Sequence, residues 1–302
     1  MDDMNILSLF GGIEVGYVAS KEVGFKIDNY FSSEICPNAI KVVKDNHSEI
    51  QHIGSVIDID FTRLPKIDLL IGDSPCQSFS FAGKMNGMST KDNIEILSLE
   101  HYLELKDKEF EFEGQSYLFW EYIRALRETN ATYFMLENVM MNDKWKKVIS
   151  KELGVEPIIL NADKFSIQNR KRLFWTNWRV DEYVEDRGIL LRDNFDKIYD
   201  DSLVLKGKGL NKLDRPRNRA ISVYSDKCPT IMKSQDKLPT DAIVFEQDGV
   251  YRYPTRRECE LMQNLPENYT KAVNYRVATG LIGNSWNKDT IVHIFKGLKD
   301  VY

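Results

Sequence analysis

The property that most restricts how this chain can fold is an alternation. Over residues 1–180, short apolar runs of strand length recur between segments with helical spacing. Ile6-Leu7-Ser8-Leu9-Phe10 is broken by Gly11-Gly12. Val15, Val18, Ala19 and Val23 then follow at the interval of a helix, with Gly24 where a C-cap falls. Tyr30-Phe31-Ser32-Ser33 predicts a second strand, and Pro37 suits the first turn of the helix after it. Ile67 to Gly72, Tyr133 to Leu136, Pro157 to Leu160 and Leu173 to Trp175 predict further strands, while Tyr117 to Leu126 is apolar at helix period. Such a pattern predicts an α/β fold, a largely parallel sheet with helices on both faces. Ligands of such sheets sit outside the carboxyl ends of the strands. Chemistry is therefore to be sought in the loops after Phe10, Ser33, Ile71 and Leu136.

With 302 residues the chain admits about two domains of ~150 residues. Periodicity weakens from Asp181, and Leu205 to Arg219 holds Lys206, Lys208, Lys212, Arg215, Arg217 and Arg219 against the single acid Asp214. This predicts a catalytic and cofactor-binding unit over 1–180 and a smaller unit over 181–254. A return to the first unit follows over 255–302, where Cys259, Met262, Leu265, Ile291, Val292 and Phe295 regain helical spacing. The basic run reads either as a solvated face or as a contact surface. A net charge of −5 argues against a generally basic surface but leaves room for a local basic groove. No apolar run reaches the ~18 residues of a membrane span. The acidic start, Met1-Asp2-Asp3-Met4, lacks the pattern of a signal peptide, so work in the cytoplasm is expected. Cys36, Cys76, Cys228 and Cys259 form no C-x-x-C pair, so neither a metal cluster nor a disulfide framework is expected.

Several loops carry reactive side chains. Phe10-Gly11-Gly12-Ile13-Glu14-Val15-Gly16 joins a strand to a helix, where glycines permit a sharp turn and a close ligand approach. Glu34 stands at the end of the next strand, placed to accept the ribose hydroxyls of a nucleoside. Together they suggest an adenosine-containing cofactor; a structural turn with an incidental acid is the alternative. Gly72-Asp73-Ser74-Pro75-Cys76-Gln77-Ser78 presents a cysteine on a loop at the ligand edge, as a nucleophile or as an inert filler. Cys36, Cys228 and Cys259 read as structural. Glu137-Asn138-Val139 closes an apolar strand at the same edge, so its acid is either a proton donor with raised affinity or a helix cap. Gln168-Asn169-Arg170-Lys171-Arg172 offers guanidinium forks to phosphate or base, or else leads into a strand.

In this order the segments resemble the DNA (cytosine-5)-methyltransferase family, from Phe10 to Phe295. Ser74-Pro75-Cys76-Gln77 is similar to its nucleophile loop, Glu137-Asn138-Val139 to its E-N-V motif, and Gln168 to Arg172 to its Q-x-R-x-R motif. Arg252-x-x-Thr255-x-Arg257-Glu258 resembles its R-x-x-T-x-R-E segment, and Gly283-Asn284-Ser285 its last motif. The first motif and Trp286 are closer to the de novo subgroup. Gly54-Ser55-Val56 stands where the family has G-D-[IV], so the acid expected at the adenine amino group is absent. The stretch from Gly87 to Gly114, ahead of Leu118-Phe119-Trp120-Glu121, is longer than usual.

The resemblance implies a Rossmann-like S-adenosylmethionine-dependent methyltransferase sheet with a smaller target-recognition domain over 181–254. It implies that Cys76 adds to carbon 6 of a flipped-out cytosine, that Glu137 holds and protonates ring nitrogen 3, and that Arg170 and Arg172 clamp the nucleotide. Arg170 is expected nearer the base. S-adenosylmethionine, which leaves as S-adenosylhomocysteine, would be held by Phe10, Gly12, Ile13, Glu34, Ile35, Val56, Pro75, Leu118, Asn284, Ser285 and Trp286. Double-stranded DNA would meet Gln77, Ser78, Lys206, Lys208, Arg215, Arg217 and Arg219. Family habit adds a cognate restriction endonuclease as a functional rather than physical partner. An RNA cytosine methyltransferase on the same scaffold, a catalytically silent DNA-binding relative and a nucleotide-dependent dehydrogenase are the alternatives. Retention of Cys76, Glu137 and Arg170 argues against the silent form, and a dehydrogenase explains neither Pro75-Cys76 nor the basic run.

Overall fold

The computed structural model describes residues 3–75, 88–214, 219–235 and 242–302. In chain order the first part contains β1 (Met4–Leu9), α1 (Val15–Val23), β2 (Ile27–Ser33), α2 (Pro37–Asn46), β3 (Gln51–His52) and β4 (Leu69–Asp73). It continues with α3 (Leu99–Asp107), α4 (Phe119–Thr129), β5 (Tyr133–Val139), α5 (Asp143–Leu153), β6 (Ile158–Asn161) and β7 (Lys171–Thr176). The strands form one sheet in the order β3-β2-β1-β4-β5-β7-β6. After β1 the chain fills one side of the sheet, then crosses to β4 on the other. The strand order therefore reverses between β1 and β4, which opens a crevice at their carboxyl ends.

Both faces of the sheet are buried, and side chains alternate between them with the period of two that a strand imposes. Met4 and Ile6 of β1, Leu69 and Ile71 of β4 and Met135 of β5 belong to one apolar cluster. Leu7, Leu9, Leu70, Phe134 and Leu136 belong to the other, with Phe119, Trp120, Tyr122 and Ile123 of α4. The expected parallel arrangement holds for β3, β2, β1, β4 and β5. It fails at the far edge, where β7 runs antiparallel to both β5 and β6. Only residues 162–170 join β6 to β7, fewer than the dozen or so a parallel crossover needs, so the chain can only double back.

The less periodic region carries a second sheet of β8 (Ala220–Ser222), β9 (Val244–Gln247) and β10 (Val250–Arg252), in the order β10-β9-β8. Its Val223, Ile231, Ile243 and Phe245 are buried in the same cluster as α1, so it shares that core. The chain then forms α6 (Arg256–Met262), α7 (Tyr275–Asn284) and α8 (Lys288–Lys299). α8 lies beside α1: Phe295 and Phe25 rings sit 5.7 Å apart, and Lys299 Nζ donates to Val23 O at 2.6 Å. Gly283 has no room for a side chain, because a Cβ there would lie 2.2 Å from the Met232 carbonyl carbon. No helix among the described residues is long and apolar enough to cross a membrane.

The R-x-x-T-x-R-E segment acts as a clasp. Arg252 and Glu258 are both fully buried and form a two-pronged ion pair at 2.7 and 2.8 Å. Gln247 Oε1, Asp196 O and Tyr253 O accept the remaining guanidinium protons, and the ring of Tyr199 lies 4.5 Å beneath the guanidinium carbon. Thr255 caps α6 by accepting from Glu258 N at 3.1 Å, while Glu258 Oε2 accepts from Thr255 N at 2.6 Å. Removing one charge strands the other without water. Arg252→Ala is therefore expected to destabilise the fold by about 3–5 kcal/mol, read as a fall in the urea midpoint. A double Arg252→Met, Glu258→Leu variant should recover most of that loss.

Candidate active site

The carboxyl ends of β1 and β2 build one half of the crevice. Phe10, Gly12 and Glu14 all take left-handed conformations, with φ of 60, 58 and 55°, which turns the chain sharply from β1 into α1. Nothing lies within 4 Å of where a Gly12 Cβ would stand, so the loop faces open space. Gly12 N donates to Glu34 Oε2 at 3.0 Å, and Glu34 Oε1 accepts from the Ile35 and Cys36 amides at 2.7 Å. Ile35, two residues before α2, leaves 67% of its surface exposed beside that carboxylate. Ile13 and Val56 are buried, so they offer the crevice backbone rather than side chain. Leu118, half-buried, packs against the second cluster at the start of α4. An adenosine-type group fits this edge: open space over a glycine, an apolar exposed surface and an acid placed for ribose hydroxyls.

Glu14 holds the loop from behind. It is fully buried and accepts from Ser32 Oγ at 2.5 Å and Tyr30 Oη at 2.8 Å. Burial pushes its carboxyl up to about 7, against the lowering effect of those hydroxyls. Between the ordinary value of 4.5 and about 7, the folded chain keeps a proton the unfolded chain has released. Stability from this group is thus complete below the first value and is lost as pH rises through the second, by roughly 3 kcal/mol. Urea unfolding from pH 5 to 8 should show that decline, and Glu14→Gln should remove it.

The other half of the crevice lies at the ends of β4 and β5. Glu137 is 5% exposed at the end of β5. Its Oε2 accepts from Trp286 Nε1 at 3.3 Å, and its Oε1 faces Arg172 Nε at 3.0 Å. That contact is an ion pair without aligned hydrogen bonding, and Oε1 accepts no hydrogen bond from a described residue although it is shut off from solvent. Burial raises the affinity of the carboxyl for its proton, opposed by the Arg172 and Arg170 charges and by the Trp286 N–H. Asn138 beside it is also buried, and its Nδ2 donates to Ser74 O at 3.2 Å and Ser74 Oγ at 3.0 Å. Glu137 is thereby tied to the chain two residues before Cys76. Pro75 is half-buried at the end of that described stretch. Cys76, Gln77, Ser78, Arg215 and Arg217 lie outside the described residues, as does the Lys208 side chain.

Three distant segments meet at the Q-x-R-x-R motif. Gln168, fully buried, donates to Gln263 Oε1 at 2.8 Å and to Met262 O, and accepts from Ile231 N at 3.1 Å. Arg170 donates to Ile231 O at 3.2 Å and Ser285 O at 2.9 Å. Thus Arg172 is the nearer partner of Glu137, whereas Arg170 joins β7 to the second region and to α7. Asn284 is exposed, Ser285 buried, and Trp286 bridges from Glu137 to the first turn of α1, where a Gly16 Cβ would come within 3.2 Å of its ring. Tyr269 Oη donates to Ile13 O at 2.8 Å, which pins the first loop to the returning chain. The structural work of Asn138, Gln168 and Tyr269 was not legible beforehand. Asn138 and Gln168 sit inside motifs that marked their neighbours, and Tyr269 carries no local signal.

A groove of about 480 Å³ opens beside this motif, lined by Asn169, Arg219, Ile221, Lys227 and Thr230 among others. Arg219 donates to Thr230 O, and Lys227 Nζ is held by the Asp163, Ser166 and Ile189 carbonyls. Lys206 is exposed at the start of the short 3-10 helix Gly207–Lys212.

A sheet that reverses at β1/β4, with a glycine loop, an acid after β2 and a buried carboxyl after β5, defines the S-adenosylmethionine-dependent methyltransferase fold. The Dnmt2 methyltransferase of S. pombe aligns with 99% of this chain and 99% of its own at a TM-score of 0.73 and 18% identity. The methyltransferase EhMeth of Entamoeba histolytica aligns with 100% and 99% at a TM-score of 0.76 and 14% identity. The model of the C-5 cytosine-specific DNA methylase family matches residues 4–200, and the chain belongs to that family. The orphan methyltransferase M.Rho11sI of Bacillus phage rho11s is 31% identical over 62% of this chain. That match spans 36% of the phage protein's length, and the one to M.SPRI of Bacillus phage SPR spans 39%. The type II methyltransferase M1.ScrFI of Lactococcus lactis subsp. cremoris is 25% identical over 99% of this chain and 78% of its own.

Proposed function

We propose that this chain methylates carbon 5 of cytosine in duplex DNA, with Cys76 as nucleophile and Glu137 as proton donor. One observation carries the reading: Glu137 Oε1 is buried, opposite Arg172, and accepts no hydrogen bond from a described residue, at a strand end tied through Asn138 to the residues before Cys76. A buried acceptor without a donor is costly unless a ligand supplies one, and the exocyclic amino group of cytosine is such a donor.

Carbon 5 of cytosine is a weak nucleophile, and addition of a thiolate to carbon 6 makes it reactive. Glu137, whose affinity for a proton is raised by burial, gives its proton to ring nitrogen 3 as the thiolate adds. Arg172 then faces the carboxylate left behind. S-adenosylmethionine, when bound, supplies the electrophilic methyl group. Gly12, Glu34 and Ile35 would hold its adenosine, and Ser285 and Trp286 would close the pocket from the other side. Transfer of the carbon 5 proton to water, departure of the Cys76 sulfur as thiolate and return of the nitrogen 3 proton to Glu137 restore the ring. The target is out of reach inside a duplex, so the base must leave the stack. The groove lined by Asn169, Arg219 and Lys227 supports a phosphate-contacting surface there.

Incubation with labelled cofactor and either duplex DNA or transfer RNA tests the substrate. Label in carbon 5 of DNA cytosines, with bisulfite sequencing giving the context, is the expected result. Label in transfer RNA alone would reassign the chain to RNA, and label in neither would end the reading.

A further inference from the structure

At the end of β4, one acid stands where the reaction described so far gives it no task. Asp73 lies three residues before Cys76 and pairs in register with Glu137 across the parallel β4/β5 ladder. Register partners in a parallel ladder lie about 4.8 Å apart with their side chains on the same face. The alternation along both strands agrees, since Ile71 and Met135, two residues earlier, lie in the same apolar cluster. The two carboxyls therefore stand side by side. Glu137 has Arg172 and Trp286 as partners, while the Asp73 carboxyl makes no hydrogen bond to a described residue.

The charged groups around this pair come from three further segments. Glu34 approaches from the end of β2, Arg170 from the turn before β7, and Arg172 from β7 itself. Two of Arg170's donors are engaged by the Ile231 and Ser285 carbonyls. Arg172 is the guanidinium in contact with Glu137, and two neighbouring carboxylates, one buried and the other half-buried, cannot both ionise cheaply.

We infer that Asp73 is a positioning residue for the Glu137 proton: the two carboxyls share a single proton, and the charge of the pair keeps it available to the ring nitrogen of the target base. Burial is the largest influence on Asp73 and the Glu137 charge the next, and both raise its proton affinity well above the usual carboxylate range. The proton passes from Glu137 to the ring nitrogen as the thiolate adds, leaving two carboxylates facing Arg172 and Arg170. It returns to the pair when the sulfur departs. The inference rests on the proposed methyl transfer, but the sharing of the proton can be observed without it.

Asp73→Asn keeps the shape and removes the charge. Carboxyl-carbon NMR of the full chain labelled in Asp and Glu, with Glu137→Gln to assign the signal, should show the last proton of the carboxyl pair leaving at least one pH unit lower in Asp73→Asn than in the parent. The alkaline limb of kcat/KM for DNA should move down by the same amount, and Asp73→Glu should restore it. A last proton leaving at the same pH in Asp73→Asn as in the parent overturns the inference, whatever the activity. A shifted titration in a protein that methylates no DNA upholds the shared proton and overturns the proposed reaction instead. If Asp73→Asn fails to fold, Asp73→Gly, which empties the position, takes its place in both measurements.

Discussion

Cys76→Ala is expected to reduce methyl transfer to DNA by about 10⁴-fold or more, to the limit of detection, while the protein keeps its fold and its affinity for DNA. The size follows from the chemistry: without a covalent bond at carbon 6 the ring has no route to a nucleophilic carbon 5, and loss of a nucleophile typically costs that much. Neither Cys228 nor Cys259 takes its place. Burial pushes the Cys228 thiol up to about 12 and raises that of Cys259 as well, and both side chains are enclosed in the core. The companion experiment uses duplex DNA carrying 5-fluorocytosine, in which the last proton cannot leave. The parent protein should form an adduct that survives denaturation, and peptide mapping should find it on Cys76. An adduct on another residue, or methylation undiminished in the alanine variant, would remove the nucleophile from the account.

Glu137→Gln is expected to lower kcat by roughly 10²–10⁴-fold, the usual range for a general acid. The amide fills the same space and keeps an oxygen for the Trp286 N–H, but it has no proton to give. It also sets a neutral group against Arg172, so a modest stability change is expected alongside the kinetic one. In the parent, the acid form of Glu137 is the working form, and burial extends it to higher pH than an ordinary glutamic acid. The rate should therefore fall as pH rises through that raised value, and this limb should vanish in Glu137→Gln. Measured together with DNA affinity, a loss in kcat with little change in binding separates proton donation from simple contact.

Much of the fold could be read from the chain because its signals are local. The Gly24 C-cap of α1, the Pro37 start of α2 and strands β1, β2, β4 and β5 appear where the apolar runs and turn residues put them. Two helices, α3 and α5, were not anticipated. α5 is announced only by Asn142, whose side chain accepts from Trp145 N, and by a glycine at its end. The direction of β7 was illegible too, because it depends on which strand lies next to it, and a short apolar run does not record its neighbours. The same limit applies to the site. Motif order marked Glu137, Arg170 and Arg172, but not that Arg172 meets Glu137 while Arg170 reaches the Ile231 and Ser285 carbonyls. That division depends on contacts spanning 61 and 115 residues of sequence. Asp73 was visible as a residue, yet only the β4/β5 register makes it a neighbour of Glu137.

The bonds from Tyr269 to Ile13, from Ser285 to Arg170 and from Trp286 to Glu137 have a bearing on biosynthesis. A ribosome that has made β1 to β7 has produced the whole main sheet but none of these three ties. The glycine loop and the proton donor then lack these three braces until the chain has grown through Trp286. A nascent or prematurely terminated chain should thus be inert toward the genome that encodes it, so modification begins only with a finished molecule.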